Sequence, residues 1–530
     1  MLDKIIENMS LNEKVGQLFQ IGFSGKEATP EIEEMIKKYK VGGIIYFSRN
    51  IDSPAQLAKL SNNLQKMAVE NYNLPLMISA DQEGGTVTRL KRSTHFPGNM
   101  TLGATRDSDL AYRAGKATAG ELENVGINMN LAPVLDVNNN PNNPVIGVRS
   151  YGEDPELVAK LGTSYIKGMQ EGGVIACGKH FPGHGDTDTD SHLDLPIIKH
   201  DRKRLDSVEL FPFREAIKTG IDSIMTAHIN FPTIEPKEGL PATLSKKVLT
   251  GLLREELGFE GLIITDCMEM SAIVNTFGTV EGSIKTLEAG SDTVLVSHSY
   301  KKQRKSIEAV ISAVEKGRIS EERINNSVKR ILKLKQKRIG LEEFKEADYR
   351  KIDKDFSMKV AEEIAEKGVT LVQDRDDLIP LTEIKDKKIG IIDFNMGRVS
   401  LVEDDTEHDN KFVNYLKDMG ADIDYHSIDE GSKLDIDKLN IDNMDLAIIC
   451  TYNAIKRQEQ ADIANKVGEN LPVIVLALRN PYDYEVVSGL STYITTYDYS
   501  PANLKAAARI ISGELQPSGQ LPVTLVQENR

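Results

Sequence analysis

Val174-Ile175-Ala176-Cys177-Gly178-Lys179-His180-Phe181-Pro182-Gly183-His184-Gly185-Asp186 is the stretch on which the reading of the fold turns. Its first four residues form an apolar run that reads as a buried strand, and the strand delivers Lys179 and His180 at its carboxyl end. Pro182, Gly183 and Gly185 cannot continue as a helix, so a loop follows that carries histidines and carboxylates as far as His192. Such a loop concentrates titratable groups without an apolar face of its own, which points to chemistry and not to packing.

Working outward, short apolar runs alternate with longer helical patterns up to about residue 340. The strand candidates are 16–23, 43–47, 76–81, 128–135, 174–180, 222–228, 262–266 and 292–296. Apolar residues at helical spacing lie between most of them, as in 55–69, 110–124, 155–170 and 246–257, and a closing helical segment covers 304–338. Eight such repeats predict an α/β fold whose amino-terminal part is a TIM-like (β/α)8 barrel. A doubly wound open sheet is the alternative. Asp81, Arg149, Lys179, His180, His228 and Asp266 all fall at or just beyond carboxyl ends of these strands, the face on which barrel enzymes build their sites.

A charged helix over 351–367 leaves the barrel. A second βα alternation follows, with strands at 369–372, 389–394, 422–425, 446–451, 473–478 and 492–496 and helices near 410–418, 458–467 and 502–512. Buried parallel strands between helices predict a smaller three-layer domain. The expected division is 1–345 for the barrel, 346–368 for a linker helix and 369–530 for the second domain. No glycine fingerprint for a dinucleotide follows the second domain's first strand, and no cofactor is expected.

The 530 residues exceed one ordinary core, and 40% hydrophobic with 27% charged residues describes a soluble globular chain. A formal net charge of −15 argues against nucleic acid or an anionic membrane as partner, while leaving a neutral ligand open. No apolar stretch approaches the roughly 20 residues of a membrane helix. The first ten residues lack the apolar core of a secretory signal. With Cys177, Cys267 and Cys450 scattered and odd in number, free thiols in a reducing, cytoplasmic setting are expected. No obligate protein partner is evident.

Leu262-Ile263-Ile264-Thr265-Asp266 ends an apolar strand in a carboxylate, which would point into the barrel mouth as nucleophile, general base, metal ligand or salt-bridge partner. Two metal patterns fail on inspection. His180 and His184 have the spacing of a helical zinc pair, but the intervening Pro182 and Gly183 forbid the helix. Asp186, Asp188 and Asp190 imitate a calcium loop, but Ser191 and Ile197 stand where glycine and glutamate are required. No metal is expected.

Taken together, these segments resemble glycoside hydrolase family 3, and more narrowly its β-N-acetylglucosaminidase branch. The resemblance rests on Asp81-Gln82-Glu83-Gly84-Gly85 with Arg89, on Asn142 through Gly152, on Lys179 through His192, on Thr265-Asp266, and on Pro517 through Thr524. It spans nearly the whole chain. It implies a barrel followed by a C-terminal αβα sandwich domain, and retaining, exo-acting hydrolysis of terminal β-linked N-acetylglucosamine from cell-wall muropeptides or chitooligosaccharides. By the same resemblance Asp266 is the nucleophile, His192 with Asp190 the acid/base, and Asp81, Arg89, Arg149, Lys179 and His180 bind the sugar. Thr86 departs from the arginine of many relatives, and no role is assigned to it. His228 and Met268 are expected to line the pocket, while His184 reads equally as structural. Competing functions on these residues are a phosphorylase, a substrate-assisted hexosaminidase, a β-glucosidase and a silent sugar-binding protein.

Overall fold

The computed structural model describes residues 2–90, 92–188, 195–341, 344–395, 399–400, 402–403, 411–429, 439 and 441–525. Its larger sheet has eight parallel strands, formed by β1 (Phe19–Ile21), β2 (Gly43–Tyr46), β3 (Met77–Ala80), β6 (Met129–Asn130), β7 (Ile175–Phe181), β8 (Ser223–Thr226), β9 (Leu262–Thr265) and β10 (Val294–Val296). β10 pairs with β1, and a bridge from Ile264 to Thr293 links β9 towards β10, so the sheet closes on itself. A hairpin of β4 (Gln82–Gly84) and β5 (Val87–Thr88), absent from the sequence expectation, follows β3.

Each strand is short because its apolar run is short. Leu262-Ile263-Ile264-Thr265 is buried at every position, as a strand between an inner core and an outer helix ring must be. Outer helices begin where the sequence offers caps: Asp154 accepts the Glu156 N–H ahead of Pro155, and the helix Pro155–Glu171 stops at Gly172. The closing helical segment is two helices, Tyr300–Glu315 and Glu321–Arg338, interrupted at Gly317 in the left-handed region.

The helix Lys354–Gly368 leads into a second sheet of β11 (Thr370–Asp374), β12 (Lys388–Asn395), β13 (Asp422–Asp429), β14 (Leu446–Thr451), β15 (Val473–Ala477) and β16 (Thr492–Thr495). The order is β11-β16-β15-β14-β12-β13, and β11 runs antiparallel to β16. This corrects the expectation of a wholly parallel sheet. The connection from β11 to β12 holds only the single turn Ile384–Asp386 and no crossover helix of the kind that joins parallel strands. Among the described residues no helix is long and apolar enough to cross a membrane.

Candidate active site

β3 and β7 carry the centre of the site. Asp81 follows β3, Glu83 lies in the hairpin beyond it, and Lys179 is the fifth residue of β7. The Lys179 ammonium contacts Asp81 Oδ1 and Glu83 Oε1, both at 2.7 Å. Arg149, from the turn Gly147–Arg149, closes a two-pronged pair with Glu83 at 2.7 and 2.9 Å. Burial alone would push the Glu83 carboxyl up, but Arg149 and Lys179 overcome it and hold it well below the usual range. Burial likewise opposes the charges of Lys179 and Arg149, and their carboxylate neighbours raise both pKa values above normal. Glu83, Lys179 and Arg149 are therefore held charged, and the contacts with Asp81 fix the network in place.

The loop after β7 turns on glycine. A β-carbon at Gly185 would fall 1.6 Å from the Val137 carbonyl oxygen, so only glycine lets the loop lie against the chain following β6. Asp136 anchors the same loop, accepting from His180 Nδ1 at 2.7 Å and from the His184 backbone N–H at 2.7 Å. Burial, then the neighbouring His180, pushes the His184 imidazole down to about 4, so it is neutral near pH 7 and bonds Thr187 Oγ1. That environment supports the structural reading of His184, although its ring also meets the cavity.

Asp266 follows β9, half-buried, with Oδ1 accepting the Cys267 N–H at 2.6 Å. It lines one cavity of about 550 Å³ together with Asp81, Arg89, Arg149, Lys179 and His180. The barrel mouth thus brings together six of the residues singled out in the sequence. Asp190 and His192 lie outside the described residues. Two others stand back from the wall. His228 is buried and its ring bonds Thr243 Oγ1 and the Cys267 carbonyl, which fixes the turn after Asp266 from behind. Met268 is fully buried, its N–H paired with the Leu295 carbonyl and its methyl packed against Gly282 on an outer helix.

Several wall residues escaped the sequence reading. Arg49, Glu269 and His298 enter from the ends of β2, β9 and β10, and Arg49 stacks on Phe47 with 4.2 Å to the ring centre. The second domain contributes Val402 and Glu403. The Val402 carbonyl accepts from Arg89 at 2.8 Å, and Glu403 is held by Arg479 just beyond β15. No motif marks these two positions. Among the described wall residues four cations (Arg49, Arg89, Arg149, Lys179) face four carboxylates (Asp81, Asp266, Glu269, Glu403), a balance suited to an uncharged polar ligand.

Residues 10–334 match the family described as "Glycosyl hydrolase family 3 N terminal domain". "Beta-hexosaminidase A" of Pseudoalteromonas piscicida is 32% identical over 94% of this chain and 91% of its own length. "Beta-N-acetylglucosaminidase/beta-glucosidase" of Cellulomonas fimi is 27% identical over 98% of this chain and 94% of its own. The solved glycoside hydrolase family 3 β-N-acetylglucosaminidase from Paenibacillus sp. str. FPU-7 superposes with a TM-score of 0.92 at 43% identity, covering 98% of this chain and 100% of that one. The chain belongs to glycosyl hydrolase family 3 and is a glycoside hydrolase.

Proposed function

We propose that the chain is a retaining, exo-acting β-N-acetylhexosaminidase that releases terminal β-linked N-acetylglucosamine. The observation that carries this reading is the shared cavity: Asp266 lines the same pocket as Asp81, Arg149, Lys179 and His180 at the carboxyl ends of the barrel strands. The activities for which the Pseudoalteromonas and Paenibacillus proteins are named point the same way.

In the first step an Asp266 oxygen attacks the anomeric carbon, and the glycosidic oxygen departs with a proton from His192. In the second, His192 takes a proton from water as the water oxygen displaces Asp266. Two inversions give net retention. A histidine becomes neutral on giving up its proton, so it adds no second negative charge beside Asp266. Asp190, two residues away, orients the ring and favours its charged form. Asp81 accepts from sugar hydroxyls, while Lys179 and Arg149 donate. Arg89 and His180 complete the sugar contacts, and His228 and Met268 act from behind the wall. We assign catalysis to the barrel, 1–345, with 346–368 as a connecting helix and 369–530 as the second domain. The natural substrates are cell-wall muropeptides or chitooligosaccharides in the cytoplasm, and the chemistry uses no cofactor.

Mass spectrometry after incubation with a slowly released fluoro-glycoside tests the nucleophile. A sugar adduct on the peptide containing Asp266 is expected; full turnover through an oxazoline, with no adduct, overturns it in favour of attack by the acetamido oxygen. His192→Ala is expected to slow poor leaving groups more than activated aryl ones. Equal losses for both would remove the acid role. Formation of sugar 1-phosphate only when phosphate is present would replace hydrolysis by phosphorolysis.

A further inference from the structure

Three side chains from separate segments converge at the loop that follows β7: Asp186 in that loop, His200 ahead of the helix Arg202–Ser207, and Glu209 between that helix and Phe211–Thr219. One ligand atom of each lies within 4.8 Å of the other two. His200 Nε2 is 2.5 Å from Asp186 Oδ2, a short histidine–carboxylate contact that by itself requires no metal. Glu209 is what that reading leaves unexplained. It is 2% exposed, and its Oε1 already receives Asn139 at 3.2 Å and faces Arg204 at 3.5 Å. Its Oε2 is buried with no hydrogen-bond partner among the described residues. A buried carboxylate oxygen without a donor is costly, and a bound ion is one arrangement that relieves the cost.

The placement is enforced by the chain. Gly183, at a φ of +135°, presses the loop onto Glu209, whose β-carbon would sit 2.9 Å from any added side chain there. The His200 carbonyl is held by Thr233 Oγ1. Asp186 and His200 keep 23% and 35% of their side chains accessible, which leaves an entry path and room for a water ligand.

We propose that Asp186, His200 and Glu209 form a binding site for a divalent zinc ion. Two carboxylate oxygens and an imidazole nitrogen are a zinc donor set, completed to four by water; calcium and magnesium prefer oxygen alone. Zinc bonds of about 2.0–2.2 Å place neighbouring donors about 3.3 Å apart in a tetrahedron. The Asp186–His200 contact therefore opens by under about 1 Å, and Glu209 moves inward by up to about 1.5 Å. The ion would staple the two flanks of the chain between Asp186 and His200 to a helix junction of the barrel. The proposal is separate from the catalytic reading, since binding is scored without turnover.

Calorimetric titration of zinc chloride into chelator-stripped full-length chain tests it, with elemental analysis for stoichiometry. One zinc per chain is expected, and Asp186→Asn, His200→Ala and Glu209→Gln should each weaken binding by at least about tenfold. Circular dichroism of the metal-free variants shows whether they fold, and Asp186→Asn, at a part-exposed position, keeps the test valid if Glu209→Gln does not. Absence of zinc binding, binding unchanged in all the folded variants, or calcium bound more tightly than zinc would overturn the assignment.

Discussion

Both sheets of this chain are built from short, buried, mostly parallel strands, but their strand ends are put to different use. In the closed sheet the residues at the carboxyl ends of β3, β7 and β9 converge on one cavity, so Asp81, Lys179, His180 and Asp266 become neighbours. In the open sheet the strand ends lie in a row and meet the barrel's flank. Asp498, beyond β16, accepts from the Gly98 N–H at 2.7 Å and Thr101 Oγ1 at 3.1 Å, and Arg479, beyond β15, holds Glu403 at the cavity rim. Closure gathers charge into a site; an open edge distributes it into docking contacts.

The sharpest way to break this contrast is to remove one strand-end carboxylate from each sheet. Asp266→Gly is expected to lower kcat by at least ~10³-fold with the fold intact, as loss of a nucleophile does elsewhere. Steady-state kinetics on an aryl N-acetylglucosaminide measures it. Residual activity within tenfold of the parent would leave the closed sheet without its central claim.

Next in size is the locked network behind Asp81. Glu83→Gln removes the one carboxylate shared by Arg149 and Lys179, leaving two buried cations short of a partner. A loss of about 3–5 kcal/mol in urea unfolding is expected. The acid limb follows from the same residue. The folded carboxyl sits well below its ordinary value of 4.5, so below pH 4.5 the unfolded chain takes up a proton that the folded one refuses. Stability from Glu83 is complete above that pH and falls as the solution is acidified further; the Gln variant should lack this acid-sensitive component.

Much of this was legible in the sequence, and the part that was not has physical reasons. All eight barrel strands are visible as apolar runs, because a strand buried on both faces has no polar alternation to confuse it. β6 shows the limit: the run 128–135 predicts a long strand, but Pro133 has no N–H to donate, and regular pairing ends at Asn130. The chain continues beside β7 through single contacts, such as Leu135 N–H to the Lys179 carbonyl. Charged residues on strand ends were legible from their position. Glu83 stood in a quoted motif yet drew no role, since its importance lies in pairing with Arg149, 66 residues away. Val402 and Glu403 left no trace, because an irregular segment crossing from another domain has neither period nor motif.

Docking contacts should fail differently from catalytic ones. Asp498→Asn turns one accepting oxygen into a donor facing the Gly98 N–H or the Ser500 N–H, both now satisfied at 2.7 Å. A stability loss of about 1–3 kcal/mol is expected, with kcat per folded molecule within a few-fold of the parent. A collapse of kcat comparable to that of Asp266→Gly, in folded protein, would show that the open sheet's edge takes part in chemistry after all.

The smallest effect separates the two sheets by sign. Asp483, fully buried in the second domain, has one oxygen on the Ile455 N–H, and burial pushes its carboxyl from 3.8 up to about 6. Between those values the folded chain holds a proton that the unfolded chain has released, so this group's contribution falls as pH rises from 3.8 to 6, opposite in direction to Glu83. Above pH 6 the ionised carboxylate is a standing penalty. Asp483→Asn keeps the shape and the acceptor but never ionises, and should stabilise the chain by ~1–2 kcal/mol at pH 7. Near pH 4 the advantage should vanish. Urea unfolding followed by circular dichroism at both pH values measures the difference; an equal shift at pH 4 and pH 7 would mean that ionisation of Asp483 is not its source.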